Sequence, residues 1–316
     1  MNYSELSKKI HGPVYSILTP FTEGDAIDWL ALENYLTGAY NEGARNFFLM
    51  GYNSRFSQLS WEEIKLLSQF VVQKVKSLDP NNICIVADPL HCSTKVTIDF
   101  CQHAQSIGAD VISLIVREKF YSNDQMVSHF RMVSEESAIP ILVHEMPFLN
   151  GFGGPVVNYD LDLLDQLADM EHVVAIKEDA KDDEYSALVI NKIKDRVSIV
   201  ISGGGKRQWL RFADMGCQSW LNGIGVFRPY LAANFYKAYQ KGDMDYCNRL
   251  IEDIEVPFFE NGVKKYSWHL TIKAAMQQQG WFHRRDRMPL KELSEADYNT
   301  VSKVIESLPL KKYENY

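Results

Sequence analysis

The chain has 316 residues, 46% of them hydrophobic and 23% charged, a globular balance with enough apolar surface for a large core. A formal net charge of -8 without any long basic run excludes a general nucleic-acid binder, and no stretch reaches the apolar length that spans a bilayer. Five cysteines at 84, 92, 101, 217 and 247 are odd in number and lack C-x-x-C spacing, so neither a disulfide framework nor a cysteine zinc site is expected.

Met1 to Ile10 contain no apolar core of signal-peptide length, and the cytoplasm is the expected location. Eight apolar runs then recur at roughly thirty-residue spacing, the length of a strand plus its crossover helix. They are Pro13–Leu18, Asn46–Met50, Ile83–Val86, Val111–Val116, Ile141–His144, Val173–Lys177, Ser198–Ser202 and Cys217–Leu221. Eight is the number that closes a (β/α)8 TIM barrel. Helix signals fall between the runs. Asp28 is placed to cap a helix opening at Trp29, and Ser60 with Glu63 forms a capping box ahead of a face carrying Ile64, Leu67, Val71 and Val75. Gly43, Gly108 and Gly216 stand where a helix ends just before a strand, the position that favours a left-handed residue.

After Leu221 the alternation stops. Pro229–Gln240, Met244–Asp253, Lys264–Gln279 and Ser294–Leu308 read as helices without strands, so the division is a barrel over residues 1–233 and a C-terminal helical region over 234–316.

Active sites of such barrels sit at the C-terminal ends of the strands. The residues ending the eight runs are therefore a shortlist: Thr19 to Phe21, Gly51 to Arg55, Asp88, Arg117 to Lys119, His144 and Glu145, Lys177 and Glu178, Ser202 to Gly205, and Asn222 and Gly223. Among them Lys177 ends the run Val173-Val174-Ala175-Ile176 and is followed by two acids. A lysine held beside an enclosed pocket is pushed by desolvation toward the free amine, which can attack a carbonyl and form a Schiff base. The plainer reading is a strand-capping lysine paired with Glu178 or Asp179.

The order and spacing of several motifs resemble the dihydrodipicolinate synthase and N-acetylneuraminate lyase superfamily. These motifs are Thr19-Pro20-Phe21 with Gly24, Ile27-Asp28 and Leu32, then Gly51 with Leu59-Ser60, then Gly108-Ala109-Asp110. Ile139-Pro140-Ile141-Leu142 with Pro147, Ile176-Lys177-Glu178 and Ser202-Gly203 complete the set. The resemblance implies a class I aldolase-type barrel in which Lys177 attacks the carbonyl of pyruvate or another 2-keto acid. The iminium then serves as the electron sink, with no cofactor or metal expected. It also implies a homo-oligomer, dimer or tetramer.

Departures from the family pattern fall on the chemistry. His144 stands where the family carries a proton-relaying tyrosine, and histidine can exchange protons near pH 7. Tyr52 and Asn53 replace two threonines that help hold the keto-acid carboxylate, and Arg55 replaces a glutamate, to bind an anion or pair with a nearby acid. The end of the fourth run, Arg117-Glu118-Lys119-Phe120-Tyr121, is shortened where a second relay tyrosine is expected, with Tyr121 as a substitute. Leu149 takes the place of the arginine that meets the second substrate of the synthases. Gly204 and Gly205, after Gly203, allow close approach of backbone N–H groups to an anion.

The expected site is thus Lys177 and His144 as catalytic residues, with Tyr52, Asn53, Arg117, Gly203 and Leu221 binding substrate. The expected activity is a Schiff-base lyase or aldolase on a 2-keto acid or sugar-acid derivative, other than dihydrodipicolinate synthesis. A degenerate barrel that binds a small carboxylate without turnover is the alternative. A metal-dependent barrel using Asp88, His91, His144 and Glu145 is the weakest reading, because neighbouring residues on a strand point to opposite faces.

Overall fold

Runs rich in Val, Ile, Leu and Phe become strands buried on both faces when helices cover the outside of a sheet and side chains fill its inside. The computed structural model describes residues 2–89, 93–116, 121–145, 148–149, 156–180, 182–203 and 205–316. Its long-range order is set by eight such strands: β1 (Gly12–Ser16), β2 (Asn46–Leu49), β3 (Ile83–Ala87), β4 (Val111–Leu114), β5 (Ile141–Glu145), β6 (Val173–Glu178), β7 (Ser198–Ile201) and β8 (Ser219–Asn222). Each pairs in parallel with the next, and β8 returns to β1, so the sheet is closed. The chain is a (β/α)8 barrel with a C-terminal helical region. Three predicted runs overshoot the strands by two residues, at Leu18, Val116 and Cys217, because these side chains pack on the core from outside the ladder. A two-residue antiparallel pair, Phe148–Leu149 with Val156–Val157, follows β5 and was too short for any periodic signal.

The joints between elements use the expected chemistry. The Asp28 side chain accepts from the Ala31 N–H, and Ser60 and Glu63 form both halves of the capping box on helix Trp61–Leu78. That helix buries Ile64, Leu67, Val71 and Val75 against the barrel, and each fully buried aliphatic side chain contributes roughly 1.5–3 kcal/mol. Gly43, Gly108 and Gly216 all have φ between 86° and 104°.

Beyond β8 the structure departs from the predicted helix ends. The helix that begins at Met244 does not stop at Asp253 but runs on to Tyr266 through two π-helical turns, Ile251–Glu255 and Phe259–Val263. Between them sits Pro257, which has no N–H to donate and whose ring crowds the preceding turn; the wider turns accommodate it without ending the helix. The break comes instead at Ser267, with φ of 71°, after which Trp268–Gln278 restarts as a separate helix. This irregular stretch delivers side chains to the barrel mouth. Among the described residues no helix is long and apolar enough to cross a membrane.

Candidate active site

The register between β5 and β6 sets His144 directly beside Lys177 and Glu145 beside Glu178. Alternation along a strand then sorts the four side chains into two pairs. Glu145 and Glu178 point outward into the helix layer. There Glu145 accepts from the Tyr159 N–H, while Glu178 accepts from the Ala180 N–H and the Ser186 hydroxyl. Burial raises the Glu178 carboxyl above the usual range. Lys177 and His144 point inward. Lys177 Nζ lies 2.8 Å from His144 Nε2 and 3.1 Å from Asp179 Oδ2, and His144 Nε2 is 3.7 Å from the same oxygen. Lys177 is 2% exposed and His144 8%.

These groups open into a cavity of about 960 Å³, to which every strand contributes residues at or just beyond its C-terminal end. Tyr52, Asn53, Gly203 and Leu221, the sequence-derived binding candidates, all line it with Lys177 and His144. Arg117 lies outside the described residues, as do His91 and Gly204. Tyr121 is 47% exposed and is not among the cavity's described lining.

The loop after β2 is held in an uncommon shape. Met50 and Arg55 take positive φ, at 60° and 55°, and strain of this kind is kept only where surrounding bonds fix it. Ser54 supplies them: its hydroxyl donates to the Ile17 carbonyl and accepts from the Met50 N–H, while its own carbonyl accepts from Thr19. The result presents Tyr52 and Asn53 to the cavity. Asn53 Oδ1 accepts from the Trp268 indole N–H at 2.8 Å, which leaves its Nδ2 as the end able to donate to a ligand. Arg55 turns away toward Asp286, Lys273 and His269, with its Nε buried and unpaired.

Sequence reasoning did not foresee the wall built by the C-terminal region. Glu255, Val256, Phe259, Glu260, Val263, Trp268 and His269 all face the cavity. Burial, then the nearby Arg55 and Lys273 cations, lower His269 to about 4, so it is neutral at pH 7. Glu255 pairs with the buried Lys206 at 2.8 Å, and Lys206 also reaches Asn222 and the Ile224 carbonyl. Asp88 accepts from Thr97, and Asp183 pairs with Arg211. Among the described residues no group of three His, Cys, Asp or Glu side chains is arranged to hold a metal.

A closed parallel barrel with a buried lysine at a strand end, hydrogen-bonded to a histidine and facing a large cavity, defines a lysine-centred barrel protein. The dihydrodipicolinate synthetase family matches residues 9–308, and the chain belongs to that family of lyases. It is 22% identical over 306 residues to a 4-hydroxy-tetrahydrodipicolinate synthase of Psychrobacter sp. (strain PRwf-1), covering 95% of both chains. It is 23% identical over 290 residues to an uncharacterised DapA-like lyase of Halobacterium salinarum, covering 91% of this chain and 90% of that one. Its fold matches that of YagE, a prophage protein of the dihydrodipicolinic acid synthase family from E. coli K12 solved in complex with pyruvate. The TM-score is 0.80 at 21% identity, over 95% of this chain and 99% of that one.

Proposed function

We propose that the chain is a Schiff-base-forming lyase of the aldolase type that acts on pyruvate or another 2-keto acid, or a sugar-acid derivative, and is not a dihydrodipicolinate synthase. The observation that carries this reading is the inward-facing Lys177 amine, sealed from bulk water yet open to the cavity, with His144 at 2.8 Å. In this reading Lys177, as the free amine, attacks the keto carbon, and loss of water leaves an iminium. The iminium draws electrons from the adjacent carbon, so a C–C or C–O bond two atoms away can break or form. His144 exchanges the proton at that carbon. The keto-acid carboxylate is held by the Asn53 amide, Tyr52 and the Gly203 backbone, with Leu221 against its apolar side and Arg117 as a further contact. The pyruvate in YagE supports the substrate class, and Leu149 at the synthase arginine position argues against the synthase reaction. A cytoplasmic homo-oligomer, dimer or tetramer, completes the proposal.

The test is reductive trapping with borohydride in the presence of pyruvate and a set of longer 2-keto acids, read by peptide mass spectrometry. An adduct on Lys177 is expected, and none in Lys177→Ala. No lysine adduct with any member of the set would sink the reading. An adduct with keto acid recovered unchanged, and no product, would instead favour a binding barrel without turnover.

A further inference from the structure

We propose that Asp179 is a catalytic residue of this site: the carboxylate that takes the proton from the Lys177 nitrogen as the C–N bond forms and returns it to the departing oxygen. This rests on the Schiff-base reading above and goes beyond it by naming the second acid-base group. Asp179 Oδ2 lies 3.1 Å from Lys177 Nζ and 3.7 Å from His144 Nε2, its side chain is 13% exposed, and it lines the same cavity. The backbone fixes it there, since the Asp179 N–H donates to the Glu145 carbonyl at the end of β5.

A second acid-base group lets the nitrogen lose its proton while the oxygen gains one. Suppose His144 first takes a proton from the lysine ammonium. The free amine then attacks the keto carbon; the C–N bond forms and the carbonyl electron pair moves to oxygen. The nitrogen, now cationic, loses a proton to the Asp179 carboxylate, and the oxygen takes one from the His144 imidazolium, giving a neutral carbinolamine. Next the hydroxyl leaves as water with the proton from Asp179, and the nitrogen lone pair forms the C=N bond. The balance is one ammonium and one ketone giving one iminium and one water, with both side chains returned to their starting states. Asp179 ends as a carboxylate beside the positive iminium nitrogen, and His144 ends neutral, ready to accept a proton from carbon.

His144 alone cannot serve both the nitrogen and the oxygen in one step. The other described carboxylates on the cavity wall are engaged elsewhere: Asp88 with Thr97, Asp183 with Arg211, Glu255 with Lys206, and Glu260 with Lys264. A purely positional role would need only an oxygen at this place that accepts from Lys177 Nζ, not the ability to take up a proton and give it back toward the cavity.

The experiment measures the rate at which the Lys177 adduct with pyruvate accumulates in cyanoborohydride, for the full chain and for Asp179→Asn and Asp179→Ala. Asparagine keeps the shape and an oxygen that accepts from Lys177, so a positional role survives the change while proton transfer does not. A rate at least tenfold below wild type in Asp179→Asn, with the adduct still on Lys177, is the expected result. A smaller effect overturns the proposal. In Asp179→Ala, formate added to fill the vacated carboxylate position is expected to raise the slowed rate; a rate that formate does not raise overturns it as well. Failure of the wild-type chain to form any adduct is a separate outcome, which removes the Schiff-base reading and this proposal with it.

Discussion

Histidines 144 and 269 both line the cavity, yet their surroundings give them opposite uses. His144 is hydrogen-bonded to the lysine amine, whereas His269 is held neutral by burial and by the Arg55 and Lys273 cations, with its pKa lowered to about 4. An unfolded histidine titrates near 6.5, so between pH 6.5 and 4 the unfolded chain binds a proton that the folded chain refuses, and stability falls as the pH drops through that window. Replacing His269 by Gln removes this contribution. Urea unfolding at pH 7 and pH 4.5 is expected to show a smaller loss for His269→Gln than for wild type, by roughly 1–2 kcal/mol, since a partly buried group realises less than the full ~1.4 kcal/mol per pH unit. Equal losses would show that His269 titrates normally in the folded chain. The sequence made His144 legible, because a strand residue's facing follows from alternation once the strand's end is known. It could not make His269 legible, because that residue comes from a helix beyond the barrel and only tertiary packing brings it to the mouth. Asp179 lay in view as a possible partner of Lys177, but one residue past β6 the alternation no longer fixes where a side chain points.

At the scale of elements, the loop after β2 and the helix Trp268–Gln278 are locked together by one hydrogen bond, and the end of β8 makes room for it. A Cβ built on Gly223 would sit 2.5 Å from the Trp268 ring, so this glycine is what lets the indole lie close enough for its N–H to reach Asn53. Gly223→Ala therefore displaces Trp268 and frees the Asn53 carbonyl, and the amide is no longer held with its Nδ2 toward the ligand. If Asn53 holds the keto-acid carboxylate, the loss of one such positioning bond is worth ~1 kcal/mol, and KM for the keto acid is expected to rise roughly fivefold with little change in kcat. Steady-state kinetics with the best substrate from the trapping set, together with a red shift in tryptophan emission, are the measurements; an unchanged KM alongside a shifted emission would remove Asn53 from the binding role. The strands, caps and helix-end glycines were readable because each rests on local chemistry. The helix from Met244 to Tyr266 was not, since Pro257 signals a stop that two π-helical turns override.

For the whole molecule, the C-terminal helical region must be joined to the barrel firmly enough to serve as a cavity wall, and two buried cations cross that boundary in opposite senses. Lys273, from the C-terminal region, donates to the Thr19 carbonyl after β1 and lies 3.6 Å from Asp286, and burial lowers its pKa to about 8. Lys206, at the start of the helix after β7, pairs with Glu255, and both side chains are less than 10% exposed. A buried pair contributes little over a well-packed apolar pair, but removing one partner strands the other charge at a cost of about 3–5 kcal/mol. Glu255→Leu alone and Lys206→Met alone are therefore each expected to lower stability by about that much, while the double variant loses distinctly less than the sum and less than either single change. Denaturant melts of the four proteins measure the coupling. Additive losses would mean that water or a neighbouring group already satisfies each charge, and that this pair is not what holds the C-terminal wall to the barrel.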